Sequence, residues 1–404
     1  MSPWDPIVIV LLGIAALGLA VSSVSRMIVW GVIRHRPRRG SSQDRVDILK
    51  PLCGVDASLA ENLRAFSRQS HARYGVIFGV AKASDEALAV AQRFCREHPE
   101  LPTQIRIGET AGLYNPKVAL LAHMARSSSA DWVVVSDSNV RVTDDYLGDA
   151  LSHAGPDVGL VTHLVCGAGG SSVSAHLESL QLGCFVASGV CGARVVLGET
   201  CVIGKSMFLR REALERIGGF ESVGGYLAED YVIGRAVVDA GFRVVTAGMP
   251  VATWNEGWTL GKFARRHLRW AVMRRQVSRP AYLVELLLTP GPILLLVLLI
   301  GWGVPSMVVD SRWVASGLAL DQLLDAVTYS RVSGRLAPWR TLLLNPLRQW
   351  LTLAIWGLGW FVHTVEWRGK SYRVGVGSRL EPLRATVPSA TTTSTASTST
   401  RSVP

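Results

Sequence analysis

Two long hydrophobic stretches flank a middle region in which the hydrophobic runs are short. The first stretch covers residues 7–21 and resumes over residues 27–33, which predicts a transmembrane helix within residues 1–34. The second begins near residue 281 and predicts a C-terminal transmembrane region over residues 281–370. The hydrophobic pattern therefore predicts a membrane protein that carries a water-soluble body between its two membrane regions.

The C-terminal region contains candidate spans of unequal quality. Residues 283–304 are almost entirely apolar and long enough to cross a bilayer, although two prolines interrupt them. Residues 341–365 form another candidate span. Residues 313–332 are the weaker candidate because Asp321 and Asp325 would be costly on a lipid-facing helix.

Residues 44–280 have the pattern of a globular domain. Valine-rich runs typical of buried parallel strands cover residues 76–80, 132–136 and 158–162. Helical spacing of apolar residues covers 86–95 and 117–125. This alternation predicts an α/β domain with a mostly parallel sheet and a ligand site beyond the carboxyl ends of its strands. The Ser/Thr-rich tail at 386–404 has no hydrophobic pattern and is predicted to be unstructured.

Composition and charge give this membrane protein an orientation. The chain is 49% hydrophobic and 18% charged, which excludes disordered and collagen-like classes, and its formal net charge is +11. In a membrane protein such an excess marks cytoplasmic flanks and anionic lipid, so nucleic acid is not a predicted partner. Basic residues follow the first apolar run, which places the N-terminus outside and the body in the cytoplasm. We therefore expect a multi-pass integral membrane protein, with three spans favoured over four.

The first candidate for chemistry is Asp137, which directly follows the strand predicted at residues 132–136. A carboxylate at this strand end can hold Mg²⁺ or Mn²⁺ together with a substrate diphosphate, because these hard cations prefer oxygen ligands. Alternatively, Asp137-Ser138-Asn139 is a turn without a ligand.

Three further residues are expected at the same edge of the sheet. Asp85 follows the strand at residues 76–80, where it is either a ligand-binding carboxylate or a helix cap. Asn115 and Lys117 open the next helix and would place an amide and a cation nearby. The alternative for that pair is an ordinary proline-started helix with an exposed lysine.

Glu229 and Asp230 follow a glycine-rich turn and precede an apolar helix. A carboxylate there can act as a general base that removes a hydroxyl proton during group transfer. The alternative is simple stabilisation of the helix dipole by acidic residues in the first turn.

Residues 262–279 are rich in arginine and predict a basic helix. On a helix Arg266 and Arg269 share a face and Trp270 neighbours Arg266, which gives a cationic and aromatic surface for a diphosphate leaving group. The same helix could also lie on anionic lipid, and the two roles can coexist.

The order of these residues is more specific than any one of them. Asp85, Asp137, Glu229-Asp230 and then Arg266-His267-Leu268-Arg269-Trp270 resemble the D, D, D, (Q/R)-x-x-R-W signature of inverting family 2-type glycosyltransferases with a GT-A domain. Within that class the chain resembles the ceramide glucosyltransferase family, including bacterial members associated with hopanoid biosynthesis. The strings that carry this likeness are Ile48-Leu49-Lys50-Pro51-Leu52, Asn115-Pro116-Lys117, Asp137-Ser138-Asn139, Gly204-Lys205-Ser206-Met207 and Ala228-Glu229-Asp230-Tyr231.

The resemblance implies a fold and a reaction. It implies a Rossmann-like GT-A domain in the cytoplasm that transfers one sugar, glucose or N-acetylglucosamine, from a UDP-sugar with inversion. The acceptor would be a hydroxyl group of a membrane lipid, either a hopanoid polyol or a ceramide, and the cofactor Mg²⁺ or Mn²⁺. The bacterial inner membrane would be the location.

The resemblance also implies a role for each candidate residue. The residues that would bind the nucleotide sugar are Asp85, Asn115, Lys117, Asp137 and Glu229. Asp137 would hold the metal, and Asp230 would deprotonate the acceptor hydroxyl. Arg266, Arg269 and Trp270 would stabilise the departing UDP.

One departure and two alternative functions follow. Many glycosyltransferases place a second Asp two residues after the metal-binding Asp, whereas this chain has Asn139, which leaves one firm carboxylate for a metal. A processive polysaccharide synthase would share the motifs but needs a channel for its product. A non-catalytic membrane protein of the same fold is the third hypothesis.

Overall fold

A central mixed sheet organises the body of the protein. The computed structural model describes residues 5–34, 42–196, 200–303, 310–367 and 370–383, together with Gly198. Eight strands form one sheet: β1 (Val46–Leu52), β2 (Tyr74–Val80), β3 (Thr103–Ile107), β4 (Trp132–Ser136), β5 (Val140–Arg141), β6 (Val158–Ala168), β7 (Ser206–Arg210) and β8 (Arg243–Trp254). Their order is β3-β2-β1-β4-β7-β6-β8-β5.

Most strand pairs in this sheet are parallel. Strand β1 runs parallel to β2 and β4, β2 to β3, and β6 to β8, whereas β7 is antiparallel to both of its neighbours and β5 is antiparallel to β8. The valine-rich runs form β2, β4 and the first part of β6, and every residue of β4 is buried. The predicted α/β domain with a mostly parallel sheet is confirmed.

Helices connect these strands and cover the sheet. They are α1 (Asp5–Val32), α2 (Leu59–Arg64), α3 (Ala87–Glu97), α4 (Pro116–Ala125), α5 (Tyr146–Leu151), α6 (Val173–Leu180), α7 (Ala187–Val196), α8 (Arg211–Arg216), α9 (Glu229–Asp239), α10 (Leu260–Val277), α11 (Arg279–Val284), α12 (Gly291–Gly303), α13 (Ser311–Ser333), α14 (Trp339–Leu342) and α15 (Asn345–Leu358). A π-helical turn, Gln181–Val186, joins α6 to α7. A small antiparallel sheet of β9 (Thr364–Trp367), β10 (Lys370–Val374) and β11 (Leu380–Pro382) packs against α10. The predicted helices at 86–95 and 117–125 correspond to α3 and α4.

One helix has the length and composition of a membrane span. Within the described residues this helix is Pro6–Val32. Only 22% of its most apolar 18-residue stretch is buried, whereas the core helix of a soluble protein is mostly buried. A second span results if Arg279–Leu288 and Gly291–Gly301, which meet at 54°, are counted as one bent crossing. The basic residues at positions 36, 38 and 39 and the tail at 386–404 lie outside the described residues.

The predicted C-terminal transmembrane region needs correction, because within the described residues only a bent helix pair there is apolar enough to cross a membrane. The span expected at residues 283–304 is the bent pair, broken near its two prolines. Helix α13 has the length of a span but carries two aspartates and two arginines. The segment expected at residues 341–365 contains α15, with 14 residues, and then begins strand β9. A helix of that length is too short to cross the hydrocarbon core unaided.

The two aspartates of α13 belong to a buried set of charges, here called the closed cluster and made of Arg26, Asp321, Asp325 and Arg348. Arg26 lies 2.7 Å from Asp321 and 2.8 Å from Asp325, and Arg348 lies 2.7 Å from Asp325. No side chain of the closed cluster is more than 2% exposed. Two cations and two anions balance, so the closed cluster ties α1 to α13 and α15 without a net buried charge.

Candidate active site

Four charged side chains from separate parts of the chain meet at the carboxyl end of β4, and we call them the cavity cluster. They are Lys117, Asp137, Lys205 and Glu229. The Nζ atoms of Lys117 and Lys205 each lie 3.0 Å from a different carboxylate oxygen of Asp137, and Lys117 also lies 3.1 Å from Glu229. Their side chains are between 8% and 25% exposed, so the cavity cluster is accessible to a ligand.

Local structure fixes the position of Lys117. Asn115 caps α4 by accepting hydrogen bonds from the backbone N–H groups of Lys117 and Val118, and Pro116 occupies the first helical position. The Asn115 amide also donates to Glu229 at 3.3 Å. One buried side chain therefore holds both the helix that carries Lys117 and the carboxylate that Lys117 contacts.

Strand register fixes the position of Lys205. Strands β4 and β7 are antiparallel with Ser136 opposite Ser206, so the residue before Ser206 lies beside the residue after Ser136. That pairing brings Lys205 to Asp137. Lys205 also donates to the side-chain oxygen of Asn139 at 2.7 Å.

The charges of the cavity cluster reinforce one another. Burial would raise the pKa of Asp137, but the ammonium groups of Lys117 and Lys205 hold it well below its usual range. Burial would lower the pKa of Lys117, but Asp137 and then Glu229 raise it above its usual value. At neutral pH Asp137 is therefore an anion and Lys117 a cation.

Asp230 lies beside the cavity cluster in the first turn of α9. Its carboxylate accepts hydrogen bonds from the backbone N–H groups of Gly204 and Tyr231, both at 2.8 Å. A Cβ atom on Gly204 would lie 2.8 Å from that carboxylate, so the close approach requires glycine. Burial, and then the charge of Glu229, raise the pKa of Asp230 to about 6. A carboxylate with this pKa is well matched to proton removal near neutral pH.

One face of α10 supplies cations and an aromatic ring to the same site. Arg266, Arg269 and Trp270 all line the cavity described below. Arg266 lies 2.7 Å from buried Glu178 and stacks 4.2 Å from the centre of the Trp258 ring. Arg269 has no carboxylate partner within 4.0 Å among the described residues, and burial and then Arg266 lower its pKa. It lines the cavity as a cation whose counter-charges, Glu229 and Asp137, lie farther away.

The cavity has a volume of about 680 Å³, and we divide its lining by chemistry into a polar limb and an apolar limb. Its polar limb is lined by the cavity cluster, Asp230 and the α10 residues. Its apolar limb is lined by Val21 of α1, Phe185 of the π-helical turn, Val190 of α7 and Leu288 at the end of the first half of the bent pair. The cavity therefore connects a highly charged centre with the candidate membrane helix.

Two sequence-predicted residues do not line this cavity. The Asp85 carboxylate accepts from the backbone N–H groups of Gly54 and Ala87, both at 3.0 Å. It thus fixes a loop whose Cys53 and Asp56 line the cavity. Asn115 is fully buried behind Lys117 and Glu229. In the structure both side chains are occupied by local hydrogen bonds that support residues lining the cavity. Their predicted binding of the nucleotide sugar stays a prediction.

Three residues of the site were not predicted from the sequence. Besides Lys205, they are Lys50, which is fully buried and donates to the backbone oxygen of Asp137 at 2.7 Å, and Glu178, which contacts both Arg266 and His267 at 2.7 Å. Burial lowers the pKa of Lys50 to about 7. A lysine within the apolar run of residues 48–52 was the signal for Lys50, since a buried ammonium needs partners.

The residues around Asp137 do not match a site for a divalent cation. Both carboxylate oxygens of Asp137 contact ammonium groups, and the Asn139 oxygen accepts from Lys205. Within the described residues no group of three or more His, Cys, Asp or Glu side chains could hold a metal ion. The predicted binding of Mg²⁺ or Mn²⁺ by Asp137 therefore stays a prediction, and no step below passes through a metal.

Comparison with known proteins gives a family match over most of the chain. Residues 8–380 match the model of glycosyl transferase family 21. Ceramide glucosyltransferase 3 of Caenorhabditis elegans is 25% identical over 262 residues, which are 63% of this chain and 55% of that protein. Ceramide glucosyltransferase 1 of the same organism is 24% identical over 263 residues, 63% of this chain and 54% of that protein. The chain thus spans about half the length of these relatives.

Solved structures resemble this chain more distantly. The mannosyltransferase PcManGT from Pyrobaculum calidifontis, in complex with GDP-Man and Mn²⁺, is 16% identical with a TM-score of 0.48, and the match covers 86% of this chain and 98% of that one. Residues 1–349 of S. aureus TarS, in complex with UDP, are 12% identical with a TM-score of 0.38, and the match covers 81% of this chain and 96% of that one.

Proposed function

This chain belongs to glycosyl transferase family 21, and we propose that it transfers a single sugar from a UDP-sugar to a hydroxyl group of a membrane lipid. The observation that carries the proposal is the two-limbed cavity, in which Asp230 and the cavity cluster share one space with the apolar wall that reaches α1. A charged donor fits the polar limb, and the hydrocarbon part of a lipid fits the apolar limb.

In this proposal the reaction is a single displacement with inversion, on a GT-A-like domain. The acceptor oxygen attacks the anomeric carbon as the bond from that carbon to the β-phosphate oxygen breaks. The electron pair of the broken bond leaves with UDP, and the hydroxyl proton passes to the carboxylate of Asp230. The hydrogen bonds from Gly204 and Tyr231 hold that carboxylate in position.

The leaving group develops negative charge, which the α10 face is placed to stabilise. Arg269 lines the cavity without a carboxylate partner among the described residues, so a diphosphate would supply its counter-charge. Arg266 is held by Glu178 and stacks on Trp258, which keeps its guanidinium fixed before the donor binds. Trp270 adds an aromatic wall beside these two cations.

The remaining predicted residues support the donor site. Lys117 contacts the diphosphate in this proposal, while Glu229 and Asn115 hold Lys117 in position. Asp85 acts through the loop that it fixes at Gly54, which forms the nucleotide side of the cavity. The predicted Mg²⁺ or Mn²⁺ is not included in this mechanism because the carboxylate expected to bind it is held by two ammonium groups.

The substrates and the location are proposed from the family and from the cavity. The names of the two nematode relatives favour glucose and ceramide, and N-acetylglucosamine and a hopanoid polyol are the other sugar and lipid we propose. Helix α1 would anchor the protein in the bacterial inner membrane with the catalytic body in the cytoplasm, and the bent pair would add a second crossing.

The test is to incubate membranes that contain the protein with a panel of radiolabelled UDP-sugars, then to separate the lipid extract from insoluble polymer. We expect label in a single discrete lipid, which mass spectrometry then identifies. Label in polymer would favour a processive synthase instead. Label in neither fraction, together with absent UDP binding, would favour a non-catalytic protein of this fold.

A further inference from the structure

Asp137 is the centre of a group of three lysine side chains. Lys117 and Lys205 each lie 3.0 Å from one of its carboxylate oxygens, and the Lys50 ammonium lies 2.7 Å from its backbone oxygen. The three lysines come from a strand, a helix start and a loop that are distant in sequence. The sheet thus brings three lysine side chains to a position where the family resemblance predicts one metal ion.

A divalent cation would compete with these ammonium groups for the same oxygens. Mg²⁺ and Mn²⁺ require several hard oxygen ligands, and the side-chain oxygens of Asp137, Asn139 and Glu229 at this point already contact the ammonium groups of Lys117 or Lys205. Lys205 contacts both Asp137 and Asn139, at 3.0 and 2.7 Å. A metal bound there would also lie close to two positive charges, which repel it.

The lysines are well placed to meet a diphosphate. Lys117 and Lys205 line the cavity with 12% and 13% of their side chains exposed. The Lys117 ammonium contacts Asp137, Glu229 and the backbone oxygen of Gly204, whereas the Lys205 ammonium contacts Asp137 and Asn139 and keeps one donor for a ligand. Arg266 and Arg269 line the same limb. Phosphate oxygens entering here would therefore be surrounded by cations that belong to the chain itself.

We infer that Lys117 and Lys205 neutralise the donor diphosphate in place of a divalent cation, with Asp137 serving to position the two ammonium groups. This inference rests on the proposed function, because it concerns how that same site holds UDP. The bonds made and broken are those of the proposed transfer, and no further reactant is needed. The role assigned to Asp137 changes from metal ligand to positioning residue.

The test is calorimetric titration of the purified full-length protein in detergent with UDP, in EDTA and in MgCl₂ or MnCl₂. We expect the Kd for UDP to change by less than about 3-fold between these buffers. Loss of binding in EDTA with recovery in Mn²⁺ would overturn the inference while leaving the proposed function intact. Absence of UDP binding in every buffer would overturn the proposed function and this inference together.

Substitutions of Lys205 and Asp137 separate contact with the diphosphate from positioning of the ammonium groups. Lys205→Met should weaken UDP binding by about 10-fold or more, the loss expected of one charge-assisted phosphate contact, and should leave uridine binding unchanged. Lys205→Arg should stay within about 3-fold of wild type, and Lys370→Met, an exposed lysine outside the cavity, is the matched control. The Asp137→Asn variant should still bind UDP equally well with and without metal. If Asp137 were a metal ligand, this variant would lose UDP binding that depends on the metal. UDP binding of wild-type strength in a folded Lys205→Met variant would contradict the inference.

Discussion

The cavity cluster and the closed cluster are built from the same chemistry, with two cations and two anions in each and ion pairs of about 3 Å. They differ in exposure: side chains of the cavity cluster are 8–25% exposed, whereas those of the closed cluster are at most 2% exposed. In the closed cluster every charge is satisfied by another side chain. In the cavity cluster each ammonium also faces the cavity, where a ligand can reach it.

The surroundings of the two clusters explain their different consequences. Asp325 also accepts hydrogen bonds from Asn345 and Gln349, so the closed cluster is saturated by the protein. Beside the cavity cluster, Arg269 lacks a carboxylate partner within the described residues. A closed set of charges joins helices, whereas a set that is open on one side can bind an anion and direct a reaction.

The largest expected effect is on Asp230, the proposed base beside the cavity cluster. Asp230→Asn should lower the rate of transfer by about 100- to 10,000-fold, because the amide cannot take the acceptor proton. UDP binding should change little, since Asp230 contacts the acceptor in the proposed mechanism. Transfer rates and UDP titrations on the same preparation measure both quantities, and loss of UDP binding would place Asp230 in the donor site instead.

The next effect concerns the closed cluster. Arg348→Met should lower the free energy of unfolding by about 3–5 kcal/mol, because it leaves Asp325 with one fewer cation in a buried site. The matched control is Arg126→Met, whose pair with Glu221 is well exposed and should cost less than about 1 kcal/mol. Unfolding in detergent, followed by tryptophan fluorescence, gives both values. Equal losses of unfolding free energy in the two variants would contradict the importance that we assign to burial.

The apolar limb can be tested without altering a charge. Gly189 of α7 lines this limb, and a Cβ atom there would lie 3.7 Å from Leu288. Gly189→Leu should fill part of the limb and raise the KM for the lipid acceptor by about 10-fold. The KM for the UDP-sugar should not move. A matched rise in both constants would mean that the limb does not hold the acceptor.

The smallest effect is a shift in pH dependence. Because the base must be deprotonated, transfer should fall as the pH drops through about 6, the pKa of Asp230, and should level off above it. Glu229→Gln removes a negative charge that raises this pKa, so the acidic limb should move down by about 1 pH unit. A profile of kcat/KM against pH measures the shift. An acidic limb that moves to higher pH in Glu229→Gln would contradict the prediction that this change lowers the pKa of Asp230.

The sheet and part of the site could be predicted from the sequence. The valine-rich runs are buried on both faces, so their pattern alone predicted β2 and β4. Asp137 and Lys117 follow or open elements of that pattern and were placed at the correct edge. Lys205 was missed because it reaches Asp137 through the antiparallel register of β7, which a pattern of parallel strands does not contain.

Of the two membrane regions, only the first was predicted well from the sequence. Helix α1 was predicted because its apolar run is long and continuous. The C-terminal spans were not found as expected, because residues 283–304 break near their prolines and residues 341–365 pass from a 14-residue helix into a strand. Hydropathy along the chain also does not reveal that Arg26 pairs with Asp321 and Asp325, nearly 300 residues later. Long-range ion pairs let polar residues occupy buried positions that a local pattern assigns to lipid or to loops.

The central claim is that this cavity couples loss of UDP to glycosylation of a lipid. The most direct measurement is a single experiment on the purified protein with its lipid, in which released UDP and labelled glycolipid are counted together. The account predicts equal amounts of the two products at every time point. UDP release without labelled lipid, or label accumulating in a polymer, would contradict it.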